Sequence, residues 1–151
     1  MEIAIDKSES TRHAVNRRGV YLVEDSESIR ARLVDLLQSV DGLEIVGESG
    51  TAADAIAGIE RTCPEAVVLD IQLTGSSGLE VLRAVHARAP EVVFIVLTNY
   101  PNPQYRRICL QSGASHFLDK TTEFSKVAGI LSGRSFSMQS TAIDAAVQTS
   151  H

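Results

Sequence analysis

The feature that most constrains the fold of this chain is an alternation of short apolar runs with segments of helical periodicity. The apolar runs predict strands at 20–23, 43–47, 66–69, 92–97 and 115–118. Three of these runs are rich in β-branched residues and nearly continuous, which is typical of strands covered on both faces. The helical patterns lie at 29–40, 51–59, 79–85, 103–112 and 122–131. This order predicts an α/β fold, a doubly wound five-stranded parallel sheet with helices on both faces.

Length and composition limit how the chain is organised. A chain of 151 residues is long enough for one domain with a real core and too short for two ordinary ones. We expect a polar extension over residues 1–18, one domain over 19–131 and a tail over 132–151. The tail is rich in Ser, Thr and Gln, and its apolar patch at 142–147 is either a short docking helix or a frayed end.

Several classes of protein are disfavoured by the same numbers. A net charge of −5 without a Lys/Arg cluster argues against electrostatic wrapping of nucleic acid. No run approaches the roughly 18 apolar residues of a membrane span, and the N-terminus is too acidic for a signal peptide, so we expect a cytoplasmic protein without membrane contact. Cys63 and Cys109 are isolated, which predicts two buried thiols rather than a zinc site.

The functional site is predicted at the carboxyl ends of the strands, where ligands bind in folds of this kind. The residues that follow the predicted strands there are Glu24, Asp25, Asp70, Thr98 and Lys120. Singly, each has an ordinary explanation as a helix cap, a turn former or a solvated charge. Together they place three acids, a hydroxyl and an amine on one edge of the sheet.

Three carboxylates at one edge need a cation. At about 5 Å and an effective dielectric of about 20 they would repel by roughly 3 kcal/mol per pair. All-oxygen ligands suit Mg²⁺, and the compact ammonium of Lys120 suits a phosphoryl oxygen. We therefore expect a site for phosphoryl transfer to Asp70, in which the protein contributes positioning and charge neutralisation.

Four stretches in order, "LVEDS", "VVLDIQLTGSSG", "VLTNY" and "GASHFLDK", carry a family resemblance. Over about residues 19–131 the chain resembles the CheY-like receiver domains of two-component response regulators, which have a flavodoxin-like fold. The resemblance implies that Asp70 is phosphorylated by a sensor histidine kinase or phosphotransfer protein. It also implies that a downstream protein target responds, and that the domain is not an enzyme beyond its own dephosphorylation.

The resemblance also implies roles for the other residues. Asp25, Asp70 and the backbone carbonyl of Gln72 would ligate Mg²⁺, with Glu24 acting directly or through water. Thr98 would hydrogen-bond a phosphoryl oxygen and Lys120 would pair with the phosphate.

Phe117 stands at the position of the family's switch aromatic. It would turn inward as Thr98 moves, changing the surface of the fourth helix, fifth strand and fifth helix. Formation of a two-fold homodimer through that surface is left open.

Several positions depart from the commonest pattern of the family. Thr74 and Thr121 stand where many members have proline, after the acceptor aspartate and after the lysine. Asn99 and Tyr100 follow the switch threonine, and with Gln72 they are expected to tune how fast water reaches the phosphoaspartate. The direction of that tuning is left open.

The sequence also leads to expectations about how the domain would pass on a signal and whether it is an enzyme. The sequence is similar to receivers attached to helix-turn-helix domains, but the 20 residues after Leu131 are fewer than the about 50 that such a bundle needs. We therefore expect protein contacts, or a phosphate relay or sink, and no direct DNA binding. A haloacid-dehalogenase-type phosphatase is the alternative, because Asp70, Gln72 and Thr74 nearly match D-x-D-x-T. Gln72 in place of the general acid argues against it.

Overall fold

The structure, a computed structural model, describes residues 18–73 and 75–133. The strands are β1 (Arg18–Val23), β2 (Leu43–Ser49), β3 (Ala66–Asp70), β4 (Gln72–Leu73), β5 (Ser76–Ser77), β6 (Val93–Thr98) and β7 (His116–Asp119). The helices are α1 (Glu27–Gln38), α2 (Ala52–Thr62), α3 (Gly78–Arg88), α4 (Pro103–Gln111) and α5 (Lys126–Leu131). The predicted extension and tail, apart from Arg18, Ser132 and Gly133, lie outside the described residues, as does Thr74.

Five strands form one parallel sheet in the order β2-β1-β3-β6-β7. The predicted doubly wound α/β fold is therefore confirmed. The pairing aligns the carboxyl ends of the central strands, because Val23 pairs with Leu69, Asp70 with Leu97, and Thr98 with Asp119. Residues that follow these strands meet at one edge of the sheet.

The sheet has an apolar core on each face, as the β-branched runs predict. Successive residues of β1 point to opposite faces, so Tyr21 and Val23 pack with buried residues of α2, α3 and α4. Val20 and Leu22 pack with Leu33 and other buried residues of α1 and α5 on the other face. With both faces covered, the carboxyl edge is where the sheet opens to a cleft.

Side-chain caps fix where the helices begin. Ser26 Oγ accepts from the backbone N–H of Ile29 at 3.3 Å, so Ser26 rather than Asp25 caps α1. Thr51 Oγ1 accepts from Asp54 N at 3.2 Å and caps α2, as its spacing to Asp54 predicts. Asp25 is therefore not the helix cap, and its carboxylate lies with those of Glu24 and Asp70 at the edge of the sheet.

Three features differ from the sequence predictions. Cys63 is exposed, not buried, because it forms the left-handed C-cap of α2 with φ of 49°; Cys109 is buried as predicted. The short hairpin β4–β5 was not predicted, since two-residue strands leave no periodicity. Helix α5 begins at Lys126 rather than at 122, because side chains of the preceding turn bind the backbone there.

None of the described helices is long and apolar enough to span a bilayer.

Candidate functional site

Three buried polar side chains mark the carboxyl edge of the sheet. Asp70 is the last residue of β3, Thr98 is the last of β6, and Glu24 follows β1 directly. Their exposed fractions are 4%, 0% and 1%, in a neighbourhood otherwise formed by apolar strands. Burial of two carboxylates is unfavourable unless each is paired.

An acidic cluster forms where these strands end. One carboxylate oxygen from each of Glu24, Asp25 and Asp70 lies within 4.8 Å of the other two. Glu24 and Asp25 come from the turn between β1 and α1, whereas Asp70 comes from the neighbouring strand β3. The structure therefore brings together the three acids that the sequence singled out.

Lys120, just after β7, is the cation of the site. Its Nζ lies 2.9 Å from Glu24 Oε1 and 3.0 Å from Asp70 Oδ2, and its side chain is only 9% exposed. The backbone N–H of Lys120 donates to the carbonyl of Thr98 at 2.8 Å, which holds the residue against β6. One ammonium thus bridges two buried carboxylates.

The ionisation of the site reflects this burial. Burial raises the pKa of Glu24 above its ordinary 4.5; the Lys120 ammonium opposes the shift and the charge of Asp70 adds to it. For Lys120, burial acts to lower the pKa, but the two carboxylates outweigh it and hold the pKa above 10.5. The lysine is therefore cationic at neutral pH, while Glu24 ionises less readily than an ordinary glutamate.

Backbone contacts hold the two buried carboxylates in place. The N–H of Gln72 donates to Asp70 Oδ1 at 2.9 Å, and the N–H of Ser26 donates to Glu24 Oε2 at 3.1 Å. Gly78 begins α3 so close to the chain at Asp70 and Ile71 that a Cβ atom there would collide with the backbone. Strand β3 and the start of α3 are therefore in close backbone contact at this point.

The cleft above these residues has a volume of about 680 Å³. Among its lining residues are the predicted Glu24, Asp25, Asp70, Gln72, Asn99, Tyr100 and Lys120. Tyr100 is 60% exposed, and Thr98 Oγ1 accepts from its N–H at 2.9 Å. Phe117 is buried instead among residues that pack with α2, α3 and α4, so the proposed switch aromatic lies beneath the surface.

Four residues of the cleft were not predicted as site residues, namely Ser26, Ile29, Arg32 and Thr121. Ser26 and Arg32 line the cleft from the start of α1, and the guanidinium of Arg32 stacks over Phe124 with 4.4 Å to the ring centroid. Both follow the first acidic pair within two helical turns. The helical period after "ED" could have identified them as neighbours of the acids.

The donor set fits a hard divalent cation. The three clustered oxygens belong to carboxylates, no Cys or His belongs to the cluster, and one acid is half-buried at the cleft, which leaves room for water ligands. Mg²⁺ prefers such oxygen donors and keeps several waters. The residues present therefore suit Mg²⁺ better than a softer metal.

Comparison with known proteins identifies the family to which this geometry belongs. The family model described as the response regulator receiver domain matches residues 20–131. The chain belongs to this family. The match covers β1 from Val20 onward and the other four parallel strands in full, together with Lys120. It includes the ends of β1, β3 and β6, where the buried polar residues lie.

Similar proteins agree with this assignment. The receiver is 36% identical over 101 residues to the DNA-binding transcriptional activator DevR/DosR of Mycobacterium tuberculosis, covering 67% of this chain and 46% of that protein. It is 30% identical to the response regulator UvrY of Escherichia coli, covering 67% and 46%. The signal receiver domain of the putative response regulator NarL from M. tuberculosis superposes with a TM-score of 0.70 at 26% identity, covering 77% and 94%. This chain thus spans about half the length of the curated relatives it matches.

Proposed function

We propose that Asp70 accepts a phosphoryl group from a phosphohistidine of a sensor histidine kinase or phosphotransfer protein. The observation that carries the proposal is the contact of the buried Asp70 carboxylate with Lys120 Nζ at 3.0 Å, beside the Glu24–Asp25–Asp70 cluster. An acidic cluster with a single bridging ammonium retains excess negative charge, which favours a divalent cation. Such a site can then receive a phosphoryl group.

The proposed step is a single displacement. An oxygen of the Asp70 carboxylate forms a bond to phosphorus while the P–N bond to the donor imidazole breaks, and the electron pair leaves with the imidazole nitrogen. The product is an acyl phosphate on Asp70. Because Asp70 Oδ1 already accepts from the N–H of Gln72 and Oδ2 contacts Lys120, the carboxylate is held in one orientation for attack.

Residues of the receiver would stabilise the transferred group. Bound Mg²⁺, held by Asp25, Asp70, the Gln72 carbonyl and Glu24 directly or through water, would neutralise phosphoryl charge. Lys120 would exchange its contact with the Asp70 carboxylate for a phosphoryl oxygen, which needs little movement.

Thr98 and Phe117 would relay the change to the surface. The Thr98 hydroxyl, which accepts from the N–H of Tyr100, would turn to donate to the phosphoryl group. Phe117 pairs with Val96, two residues before Thr98 on β6, so movement of the threonine would reach the aromatic ring through the same face of the strand.

The output of the chain is proposed as protein recognition. DevR/DosR is described as DNA-binding, and this chain covers 46% of it. The proposal for the present chain is therefore restricted to phosphoryl transfer and to a protein target that recognises the receiver surface. A phosphate relay or sink uses the same chemistry at Asp70.

The experiment is phosphorylation by a small acyl phosphate with Mg²⁺, followed by intact-mass measurement. We expect one phosphoryl adduct in the wild-type protein and in the control Asp35→Asn, which changes an exposed acid of α1. Asp70→Asn should show no adduct. Omission of Mg²⁺ should suppress the adduct of the wild-type protein.

An adduct that persists in Asp70→Asn would disprove the assignment of the acceptor. Sustained turnover of the donor with no detectable acyl phosphate would instead favour the haloacid-dehalogenase alternative. The lifetime of the adduct is proposed to depend on Asn99, Tyr100, Gln72 and Thr74. The decay of the same mass peak measures this lifetime.

A further inference from the structure

We propose that Glu123 and Asp119 are positioning residues that hold Lys120 against Asp70, an inference that rests on the proposed phosphoacceptor function. The family resemblance does not supply this role. Many receivers have proline after the lysine, whereas this chain has Thr121, whose backbone N–H is free to bond. The structure shows how that bond is used.

Three consecutive backbone N–H groups around the lysine are bound. The N–H of Asp119 donates to Glu123 Oε1 at 2.8 Å, and the N–H of Thr121 donates to Asp119 Oδ1 at 2.8 Å. Between them, the N–H of Lys120 donates to the Thr98 carbonyl at 2.8 Å. The two residues that flank Lys120 are thus fixed by carboxylates and Lys120 itself by the sheet. We call residues 119–123 the carboxylate bracket.

The carboxylate bracket is tied to the two helices of one face. Glu123 Oε2 lies 2.9 Å from Lys126 Nζ in the first turn of α5. Phe124, the next residue, lies under the guanidinium of Arg32 in α1. The bond from the Asp119 N–H and the Lys126 ammonium hold the pKa of Glu123 below 4.5, so the carboxylate is ionised at neutral pH.

This arrangement explains why the lysine reaches both acids. The Lys120 ammonium lies about equally far from Glu24 and Asp70, at 2.9 and 3.0 Å, which requires the backbone at the end of β7 to be fixed. A displacement of about 1 Å at a reacting group can lower a rate by as much as about a hundredfold. Loss of the bracket should therefore slow phosphorylation while leaving the acidic cluster intact.

The test compares Glu123→Ala with Glu123→Gln. Both variants lose the ion pair with Lys126, but the amide oxygen of glutamine still accepts from the Asp119 N–H. We expect phosphorylation by the acyl phosphate to slow on the order of tenfold in Glu123→Ala and to return close to the wild-type rate in Glu123→Gln. Lys126→Met and the exposed control Glu44→Ala should also keep the wild-type rate.

A second readout of the position of Lys120 needs neither Mg²⁺ nor a phosphoryl donor. Acetylation of lysine side chains, followed by peptide mass spectrometry, should show Lys120 protected relative to Lys126, whose side chain is 61% exposed. Glu123→Ala should make Lys120 severalfold more reactive. The Mg²⁺ affinity, measured separately by titration calorimetry, should change by less than about twofold because the acids of the cluster are untouched. Asp119→Ala, which removes the acceptor for Thr121, should behave like Glu123→Ala and replaces it if that variant does not fold.

The outcomes separate the two proposals. Absence of an Asp70-dependent adduct in the wild-type protein would overturn the phosphoacceptor function itself. A wild-type adduct together with unchanged rate and unchanged Lys120 reactivity in Glu123→Ala would overturn the bracket alone. Equal slowing in Glu123→Gln and Glu123→Ala would also overturn it, because the ion pair rather than the acceptor would then be responsible.

Discussion

Two ion pairs at opposite ends of the strands differ in what they do for this protein. At the carboxyl edge, Lys120 bridges Glu24 and Asp70, and none of the three side chains is more than 9% exposed. Near the amino ends of β3 and β6, Arg88 pairs with Glu60 beside an apolar cavity of about 270 Å³, and these side chains are 71% and 45% exposed.

The difference is one of solvation. Water and salt screen the Arg88–Glu60 pair, so the pair contributes little. At the carboxyl edge, Glu24 and Asp70 are almost fully buried, so water screens their contacts with Lys120 much less. Removal of the Lys120 ammonium would leave two buried carboxylates without their ion pair, whereas the same change at Arg88 would leave a solvated glutamate.

The largest effect is expected for Lys120→Met in the metal-free protein. Two buried carboxylates would lose their cation, and the free energy of unfolding should fall by about 3–5 kcal/mol. Urea denaturation with and without Mg²⁺ measures it, and Mg²⁺ should recover part of the loss because a divalent ion relieves the repulsion. Equal stability of Lys120→Met and wild type without metal would show that the acids do not depend on the lysine.

A smaller effect is expected for Gly78→Ala at the carboxyl edge. The added Cβ would collide with the backbone at Asp70, so the stability should fall by about 1–3 kcal/mol and phosphorylation should slow. The matched control is Gly129→Ala in α5, where no atom lies within 4 Å of the added Cβ. That variant should be stabilised by about 0.5–1 kcal/mol, since alanine favours the helix. Thermal and urea unfolding measure the stability of both variants. Equal changes in stability for Gly78→Ala and Gly129→Ala would contradict the close packing at Gly78.

The pH dependence of Mg²⁺ binding is expected to follow Glu24. Burial first, and Asp70 in addition, raise its pKa above 4.5, and a proton competes with the metal for the carboxylate. The Mg²⁺ affinity should therefore be maximal above the raised pKa of Glu24 and fall as the pH decreases through that pKa. The loss of affinity should approach about tenfold, or 1.4 kcal/mol, per pH unit. Titrations at a series of pH values measure this, and Glu24→Gln should shift the onset to lower pH. An unchanged onset in Glu24→Gln would exclude Glu24 from the metal site.

The smallest effect is expected for Arg88→Met. Its ion pair with Glu60 is exposed, so the stability should change by only about 0.2–1 kcal/mol. The change should shrink further in high salt, which screens exposed pairs. A loss as large as that of Lys120→Met would remove the contrast between the two edges.

Much of the fold was accessible from the sequence because hydrophobic period and β-branching are local signals. Strand β3 was predicted at 66–69 and lies at Ala66–Asp70, and the cap at Thr51 was predicted from its spacing to Asp54. Helix α5 was predicted four residues too early. The side chains of Asp119 and Glu123 take up backbone donors there, a competition that periodicity does not register.

The site was accessible only as a set of strand ends. Parallel topology implies that Glu24, Asp70, Thr98 and Lys120 share an edge, and they do. The bridging of two acids by one ammonium depends on side-chain conformations and on contacts 50 and 96 residues apart, which no local pattern encodes. The exposure of Cys63 was missed for a similar reason, since it follows from the left-handed end of α2.

The strand order has a consequence for how this edge is completed. Lys120 directly follows β7, an edge strand of the sheet and the last of its strands in the chain. Glu24 and Asp70, in contrast, lie at the ends of the two strands β1 and β3 that pair with each other. A nascent chain that has emerged only as far as residue 115 therefore carries both acids without their internal counter-ion. Until β7 docks, the Lys120 ammonium cannot contact these acids, so a divalent cation bound from solution would stabilise the unfinished sheet as well as the finished one.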